Sequence, residues 1–457
     1  MRIMDNKRSS FSGKLGFVLS AAGASVGLGN IWRFPYLAAQ YGGGIFLIIY
    51  IILALTFGYT MIIAETAIGR MTKKSPVGAF ASFGDSPSAR AGGWINAIIP
   101  MLIVPYYSTI GGWVVKYLFE YLRGNTTELA MDDYFTNFIT GGYEAEVWFL
   151  VFTIAVLVVI FMGVQNGIER VSRIMMPLLL LLALIIVGYS VTLPGAMAGV
   201  KYFLIPNPKN FSWMTVVAAM GQMFYSLSIA MGILITFGSY TKDDVSIESA
   251  TENVEIFDTG IAFLAGLMII PAVFAFSGGD SAAVKVGPSL MFVTIPKVLL
   301  TISFTRVGGI LFFVLDFFAA LTSAIALMES AVSTFCDELG TGRRAATVIM
   351  GIIMVVLGTL SSLGYGPLAM FKIIGMQFLD FSDFMTNSVM MPVAALCICY
   401  FVNRKIGLEK ITEEVEKNGH RFKRKFIFIP MIRYLSPLFL IIILLSSIAN
   451  AFGIIQM

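Results

Sequence analysis

The chain has 457 residues, of which 57% are hydrophobic and only 13% are charged, and its formal net charge is +4. Soluble proteins carry about a quarter charged residues, so this composition excludes a water-soluble enzyme of two or three globular domains. Long apolar runs, such as 45–63, 147–162 and 438–449, approach the roughly 20 residues that cross the hydrocarbon core of a bilayer. The sequence therefore predicts an all-α polytopic membrane protein.

Eleven membrane spans are predicted in chain order. A polar segment at 1–13 precedes five spans within 14–192, five more lie within 193–403, and a basic loop at 404–431 leads to a last helix at 432–457. Because five is odd, the second group enters the membrane in the opposite sense, which predicts an inverted five-plus-five repeat with one extra helix. The spans lie near 14–38, 43–69, 91–121, 147–164, 171–192, 213–239, 248–276, 304–336, 345–363, 384–403 and 432–454.

The charges of the short loops predict the orientation. Arg70, Arg170 and Arg343 fall on the same side as the basic loop, whereas the 123–146 loop on the other side is acidic. Cytoplasmic loops carry an excess of Lys and Arg, so the N-terminus and the basic loop are expected in the cytoplasm. With eleven spans, the C-terminus is then expected outside.

The first and sixth spans are interrupted in the same way, by glycines and small polar residues at 23–30 and at 226–232. Uncoiled backbone at membrane depth is tolerated only where it lines protein or a wet cavity. Paired interruptions in inverted halves mark the central site of transporters. Gly23 and Gly27 also fit a helix-packing motif, but the correspondence between the two halves favours two discontinuous helices.

Polar side chains at mid-span supply candidate ligands for a hard cation, which prefers oxygen. They are Asn30, Ser226, Ser228, Asp258, Thr322 and Ser323. Hydroxyls in membrane helices also bond back to their own backbone, so that alternative stays open for Thr322 and Ser323. Ionisable side chains within spans are either functional or structural ion pairs. These are Arg33, Glu65, Asp258, Asp316, Glu329 and Asp383.

Other functional classes find little support. The single histidine, His420, lies in a polar loop, and no nucleophile–base combination indicates an enzyme. The three cysteines lack the spacing of a metal site. No basic tract interleaved with aromatic residues indicates a nucleic-acid partner, no repeated filter sequence indicates a channel, and no obligatory protein partner is indicated. The partners expected are the lipid bilayer and a small solute.

Five segments resemble signatures of the neurotransmitter:sodium symporter family. They are KLGF at 14–17, VGLGNIWRFPY at 26–36, NGIER at 166–170, GQMFYSLS at 221–228 and AALTS at 319–323. The resemblance covers almost the whole chain and is closest to a bacterial member with eleven spans. It implies sodium-coupled import of an amino acid by alternating access, in the bacterial inner membrane.

The resemblance implies two sodium sites beside the interruptions. The first would use the carbonyl of Ser25 with the side chains of Asn30, Ser226 and Asp258, completed by the carboxylate of the substrate. The second would use the carbonyls of Gly23, Val26 and Ala319 with the hydroxyls of Thr322 and Ser323.

The resemblance also implies a substrate site and its gates. The substrate carboxylate would meet Leu28, Gly29 and Tyr107, and its ammonium would meet carbonyls of Ala24, Tyr225 and Ser226. The substrate side chain would face Ile103, Tyr225, Ser228, Met231, Ser323 and Leu327. Ser25 and Gly27 would also border the substrate. Tyr225 with Tyr107 would form an outer lid, Arg33 with Asp383 an outer gate, and Arg8 with Asp337, near Tyr240, an inner gate.

Two departures from the family pattern narrow the expectation. Gly27 stands where family members that carry monoamines have Asp, so a zwitterion is favoured, and the apolar Ile103, Met231 and Leu327 favour a large or aromatic hydrophobic amino acid. Asp258 stands where many relatives have Asn, and its carboxylate would supply the negative charge that chloride supplies in relatives. Transport is therefore expected to be chloride-independent. A proton-coupled carrier on the same scaffold remains an alternative, because several acids lie within the spans, and a channel or facilitator is the other.

Overall fold

The structure, a computed structural model, describes residues 9–84, 86–280, 284, 287–301 and 304–451. Within these residues, nine helices are long and apolar enough to cross a membrane, and one bent pair of helices adds a tenth span. A further span is divided into two helices of 14 and 7 residues. The described chain therefore forms the eleven spans that the sequence predicts.

The spans are numbered in chain order, and the halves of a divided span carry the letters a and b. They are α1a (Lys14–Ser25), α1b (Gly29–Gln40), α2 (Gly44–Thr72), α3 (Pro87–Arg123), α4 (Glu144–Phe161), α5 (Val164–Ser190), α6a (Trp213–Ser226), α6b (Ile233–Ser239), α7 (Ile247–Ser277), α8 (Thr305–Leu339), α9 (Arg343–Ser362), α10 (Phe378–Ile406) and α11 (Lys425–Asn450).

Several helices extend beyond their predicted ends. α3 begins at Pro87 rather than 91, and α11 begins at Lys425 rather than 432. The segment 404–431, expected as a loop, contains the helix Leu408–Glu416, whose Ile411 and Val415 are buried. Charged side chains can lie along apolar surface and keep their charged ends in water, so the apolar run alone underestimates the length of a helix.

The two repeats pack by exchanging their first helices. α1a packs on α7, and α6b packs on α2, so each divided helix lies against the second helix of the other repeat. A β-carbon at Gly238 of α6b would lie 2.5 Å from the carbonyl oxygen of Thr66 in α2, so glycine is required for this approach. The third helices of the repeats, α3 and α8, pack extensively on each other. The two interruptions therefore meet at the centre of the molecule, between α3 and α8.

The connection between α7 and α8 covers one end of this centre. Its helix Leu290–Leu300 places the ring of Phe292 against Trp113 at 5.9 Å, Tyr117 at 5.0 Å and Trp32 at 6.4 Å, measured between ring centroids. Aromatic pairs at these distances stabilise beyond the area that they bury. The aromatic cluster therefore joins α1b, α3 and the connection on the side opposite the basic loops.

Candidate functional site

The first span is uncoiled at Val26 and Gly27, and its two halves meet at 54°. On the far side of the break, the side chain of Asn30 folds back, and the N–H of Gly27 donates to its Oδ1 at 3.1 Å. A β-carbon at Gly27 would lie 2.7 Å from Oγ of Ser323 and 2.9 Å from the hydroxyl of Tyr107. Only a glycine lets the main chain approach α3 and α8 this closely. The predicted interruption of α1 is confirmed.

The sixth span is uncoiled at residues 227–232. Ser228, Ala230 and Gly232 have left-handed φ angles of 52°, 59° and 68°, and this conformation costs a non-glycine residue about 1–2 kcal/mol. The N–H of Ala230 donates to Oε1 of Glu65 in α2 at 2.8 Å, and Glu65 is fully buried. A backbone donor freed by uncoiling is therefore satisfied by a carboxylate. The sequence indicated Glu65 only as an ionisable residue, because nothing local identifies its partner.

A small cavity of about 30 Å³ lies between the two breaks. Its lining contains every predicted substrate residue except Leu28, and it adds Asn30. The lining residues are Ala24, Ser25, Gly27, Gly29, Asn30, Ile103, Tyr107, Tyr225, Ser226, Ser228, Met231, Ser323 and Leu327. Leu28 lies beside it, and its N–H donates to the hydroxyl of Tyr107 at 3.2 Å. One wall is polar main chain, and the other is apolar.

Asn30, Ser226 and Asp258 form a buried cluster beside this cavity. Nδ2 of Asn30 donates to Oδ1 of Asp258 at 2.8 Å and to Oγ of Ser226 at 2.9 Å, and that hydroxyl donates to Oδ1 of Asp258 at 2.9 Å. Tyr50 donates to Oδ2 of Asp258 at 3.1 Å. Ser25 lines the adjoining cavity, and hydroxyl and carboxylate oxygens are of the hard type that cations such as Na⁺ prefer. Because Asn30 turns its NH₂ toward Asp258, its amide must rotate before its oxygen faces a cation.

The predicted second cation site joins α1a to α8. Oγ of Ser323 donates toward the carbonyl oxygens of Gly23, Ala24 and Val26 at 3.1–3.3 Å. Oγ1 of Thr322 instead donates within its own helix, to Phe318 at 2.8 Å and Ala319 at 3.2 Å. The hydroxyl of Thr322 therefore bonds back to the backbone of its own helix, which is the alternative that the sequence left open. The hydroxyl of Ser323 therefore bridges α8 and the end of α1a, where the helix is interrupted and these carbonyls lack their helical partners.

The cation candidates differ from a preformed transition-metal site. Among the described residues, no group of three or more His, Cys, Asp or Glu side chains could hold a metal ion. Each candidate cluster instead combines hydroxyls and main-chain carbonyls, with Asp258 as the one carboxylate. A site with few charged ligands binds a cation more weakly than one built from several carboxylates.

Tyr225 separates the central cavity from a larger vestibule. It lines both spaces, and the vestibule measures about 350 Å³. The guanidinium of Arg33 lies 5.0 Å from the centroid of the Tyr225 ring. Asp383 lines the same vestibule, and its Oδ1 accepts from Nδ2 of Asn387 at 2.6 Å. Arg33 and Asp383, the two residues of the predicted outer gate, both line the vestibule. Among the described residues, however, no ion pair within 4.0 Å joins them.

The opposite end is closed by the first described residues. Phe11 is buried against Phe17, Phe237 and Tyr240, with ring centroids 5.4–6.0 Å apart, and its N–H donates to the carbonyl of Tyr240 at 3.0 Å. Asp337 accepts from the N–H of Ser75 at 2.7 Å. Arg8, the predicted partner of Asp337, lies outside the described residues.

An ion pair at this end, between the buried Glu329 and the partly exposed Arg343, was not assigned from the sequence. The hydroxyl of Tyr240 donates to Oε1 of Glu329 at 2.7 Å, and Arg343 donates to both oxygens of Glu329 at 2.8 and 2.5 Å. Nε of Arg343 also donates to the carbonyl of Ile160 in α4 at 3.2 Å. The pair of Glu329 and Arg343 therefore links α8 and α9 to the end of α6b through Tyr240 and to α4 through Ile160. The sequence indicates Glu329 as an ionisable residue within a span and Arg343 as a basic loop residue, but nothing local identifies them as partners.

Asp316 is the buried acid that this arrangement leaves unassigned. It is fully buried in α8, one turn before Ala319, and neither of its carboxyl oxygens has a hydrogen-bond partner in the described part of the chain. It does not line the central cavity. The structure therefore gives it no place in the cation clusters.

The chain matches a known protein family over almost its whole length. The sequence profile of the Sodium:neurotransmitter symporter family matches residues 8–141 and 140–454. The chain belongs to this family. The symporter is 32% identical to YhdH of Bacillus subtilis, described as an uncharacterized sodium-dependent transporter, over 97% of this chain and 98% of YhdH. It is 27% identical to the human sodium- and chloride-dependent GABA transporter 2, over 76% of this chain and 66% of that protein.

Solved structures agree with this membership. The crystal structure of MhsT in complex with L-phenylalanine matches the symporter with a TM-score of 0.86 and 34% identity, over 96% of this chain and all of MhsT. The predicted family, the inverted-repeat helical fold and the assignment to a multi-pass transporter rather than an enzyme are confirmed. The family is described by its use of sodium.

Proposed function

We propose that this symporter imports a hydrophobic amino acid, large or aromatic, together with two sodium ions and without chloride. The observation that carries the proposal is the cavity between the two breaks, where uncoiled main chain and buried oxygens face apolar side chains. The structure of MhsT with L-phenylalanine supports the substrate class, because that relative is 34% identical over nearly the whole chain.

The two ends of the break in α1 suit the two charges of a zwitterion. The N-terminus of α1b, at Leu28 and Gly29, carries the partial positive charge of a helix start and would receive the substrate carboxylate. The hydroxyl of Tyr107, which already accepts from Leu28, would join it. The carbonyls at the end of α1a would receive the ammonium group. Gly27 adds no carboxylate, so an amine without a carboxylate lacks a counter-charge.

The apolar wall suits a hydrophobic side chain. Ile103 from α3, Met231 from the uncoiled part of α6 and Leu327 from α8 line the cavity away from the break in α1. Methionine has three rotatable bonds and adapts its shape to a ligand. Burial of an aromatic or branched side chain there stabilises binding by about 1.5–3 kcal/mol.

Sodium and substrate are coupled through a shared contact. A cation held by Ser226 and Asp258 would also touch the substrate carboxylate, so each would raise the affinity of the other by the same factor. The carboxylate of Asp258 supplies the negative charge that a buried cation needs, which removes the need for a bound anion. The membrane potential adds ~2.3 kcal/mol per charge per 100 mV to inward movement.

Alternating access would use the two closures described above. Tyr225, with Arg33 and Asp383 beyond it, closes the path from the vestibule, and Phe11 with the Tyr240–Glu329–Arg343 group closes the opposite path. We place the N-terminus and the basic loops in the cytoplasm and the vestibule outside, in the inner membrane of a bacterium, because positive loops stay inside. Binding of substrate and sodium would close the first path before the second opens.

An equilibrium binding screen of the twenty amino acids on the purified protein, in NaCl and in KCl, tests the proposal. We expect saturable binding of large hydrophobic amino acids in sodium alone, and sodium-driven accumulation of the same compounds in proteoliposomes. Equal binding in potassium would contradict it. Accumulation driven by a proton gradient without sodium would select a proton-coupled carrier, and a current without substrate would select a channel.

A further inference from the structure

A cavity of about 660 Å³ opens between α10 and α11, at the end of the molecule that carries the basic loops. It is separate from the central cavity and the vestibule, with which it shares no lining residue. Its walls are formed by Leu396, Cys399, Tyr400, Asn403, Arg404, Arg433, Tyr434 and Pro437. Nδ2 of Asn403 donates to the carbonyl of Ile432 at 2.8 Å, which fixes the two helices against each other at the charged end.

Arg404 and Arg433 supply two positive charges to this cavity, one from each helix. Both side chains are exposed, and within the described part of the chain neither guanidinium has an acidic partner or a hydrogen-bond acceptor. Other arginines at this end are paired: Arg70 with Glu414 at 2.6 Å, and Arg424 with Glu255 at 3.1 Å. The cavity therefore presents uncompensated positive charge in a planar, forked geometry that matches a phosphate group.

The cavity lies where apolar helix surface meets charged sequence. α10 is apolar up to Val402 and then reads Asn403, Arg404 and Lys405, whereas α11 carries Arg433 and Tyr434 between the apolar segments 426–432 and 437–445. Tyr400 and Tyr434 are 55% and 67% exposed, as tyrosines are at the boundary between water and lipid. The apolar wall continues into the lipid-facing surface at Leu435 and Leu438, which are 40% and 50% exposed.

We propose that this cavity binds the head group of an anionic phospholipid. The two arginines would hold the phosphodiester, the tyrosines would lie against the glycerol region, and the acyl chains would follow the apolar surface of α10 and α11. A free phosphate would use only the charged end, whereas a phospholipid matches both ends at once. Basic pockets between spans on the cytoplasmic side are suited to such head groups.

Native mass spectrometry of the full-length protein in detergent, with added phosphatidylglycerol or phosphatidylcholine, tests this site. We expect phosphatidylglycerol to bind at least about tenfold more tightly, in a salt-dependent manner. Arg404→Gln with Arg433→Gln should remove that preference. Lys410→Gln with Arg421→Gln is the matched control, because it removes two exposed charges at the same end from outside the cavity. Equal loss in both double variants would overturn the proposal in favour of a diffuse basic face.

Two further measurements keep the test independent of how the arginine variants fold. Tyr434→Trp adds a fluorophore in the wall to the five tryptophans of the unchanged chain. The emission gained by this variant over the unchanged protein should be quenched more by brominated phosphatidylglycerol than by brominated phosphatidylcholine at equal concentration. Equal quenching by the two lipids would overturn the proposal. Inorganic phosphate is the second probe: if it displaces the lipid at comparable concentration, the cavity recognises phosphate alone and the lipid assignment is wrong.

Discussion

The side-chain amide of Asn30 donates to Oδ1 of Asp258 at 2.8 Å and so joins the second half of α1 to α7. Both side chains are fully buried, and Ser226 of α6 completes the group. One hydrogen-bonded cluster therefore ties together both divided helices and the helix that supplies the only carboxylate. A cation entering this cluster must replace the NH₂ of Asn30 as the partner of Asp258, so its binding would change contacts on three helices at once.

Removing the charge of Asp258 should create a requirement for chloride. In Asp258→Asn, a buried cation would lack its fixed anion, so sodium-driven uptake in gluconate should fall about tenfold or more. Chloride should restore part of it, with Tyr50, Gln222 and Ser226 as the polar groups nearby. Uptake by the unchanged protein should be the same in chloride and in gluconate. Collapse of that uptake in gluconate would show that Asp258 does not replace the anion.

Substitutions in the two cation clusters should weaken sodium activation. Asn30→Ala, and Thr322→Ala with Ser323→Ala, should each raise the sodium concentration for half-maximal substrate binding by about tenfold, because buried oxygen ligands are lost. Thr347→Ala is the control, since its buried hydroxyl donates to the carbonyl of Arg343 in its own helix. Sodium activation that stays unchanged in the purified cluster variants would remove these residues from the ligand set.

A methyl group at Gly29 should disturb the lid. The added β-carbon of Gly29→Ala would lie 2.5 Å from Cε1 of Tyr225. Overpacking of this kind costs about 1–3 kcal/mol, so substrate affinity should fall by roughly fivefold to 150-fold. Gly221→Ala in α6a is the matched control, because its β-carbon would meet nothing within 4 Å. Equal substrate affinities of the two variants, measured by calorimetry, would show that Tyr225 is not part of the lid.

Breaking the Glu329–Arg343 pair should destabilise the closed inner side. Arg343→Ala leaves the fully buried carboxylate of Glu329 without its cation, at a cost of about 3 kcal/mol. Thermal unfolding should therefore begin several degrees lower. Adding Glu329→Gln should recover part of the loss, because the uncompensated charge is removed. No recovery in the double variant would show that Arg343 acts through Ile160 rather than through the carboxylate.

Asp243, in the loop after α6b, pairs with Lys417, directly after the helix Leu408–Glu416, and with Lys73, directly after α2. Its hydrogen bonds to Lys417 and Lys73 lower its pKa from the ordinary 3.8 to about 2. A lowered pKa means that the ion pairs stabilise the folded chain fully above pH 3.8 and are lost as the pH falls toward 2. The side chain is half exposed, so the contribution stays below about 1 kcal/mol.

Hydrogen exchange tests whether the ion pairs of Asp243 stabilise the segment 411–419. In Asp243→Asn, amides of residues 411–419 should exchange faster than in the unchanged protein, by an amount that is constant between neutral and mildly acidic pH and that shrinks in high salt. Asp244→Asn is the control, because only its backbone carbonyl contacts this segment, at His420. Equal acceleration in both variants would show that loop charge in general, rather than the Asp243 pairs, holds the segment.

The sequence predicts the spans and the place of the central cavity because both leave local signals. Apolar runs show where helices cross, and glycines with hydroxyls at 23–30 and 226–232 show where they are interrupted. The identities of the wall residues Ile103 and Leu327 came from family resemblance rather than from any local pattern. The geometry that brings them together could not be read from spacing, since they lie on different repeats.

Contacts between distant residues account for most of what the sequence did not predict. Glu65 and Ala230 are 165 residues apart, so nothing near either position indicates that one caps the other. The rotation of the Asn30 amide depends on which groups surround it, and Thr322 bonds within its own helix although its type equally suits a ligand. The start of α11 at Lys425, rather than at 432, was not predicted because hydropathy assigns the charged residues there to a loop.

The exchange of first helices between the repeats sets an order on biosynthesis. α1 leaves the ribosome first, yet its partners Asp258 and Ser323 lie 228 to 300 residues further along. At about 5–20 residues per second, the freed carbonyls and amides of the first span wait roughly 10 s to a minute for them. During that interval the nascent first repeat must shelter polar main chain with help from the insertion machinery or water, and a fragment ending before α7 would have no native means to do so.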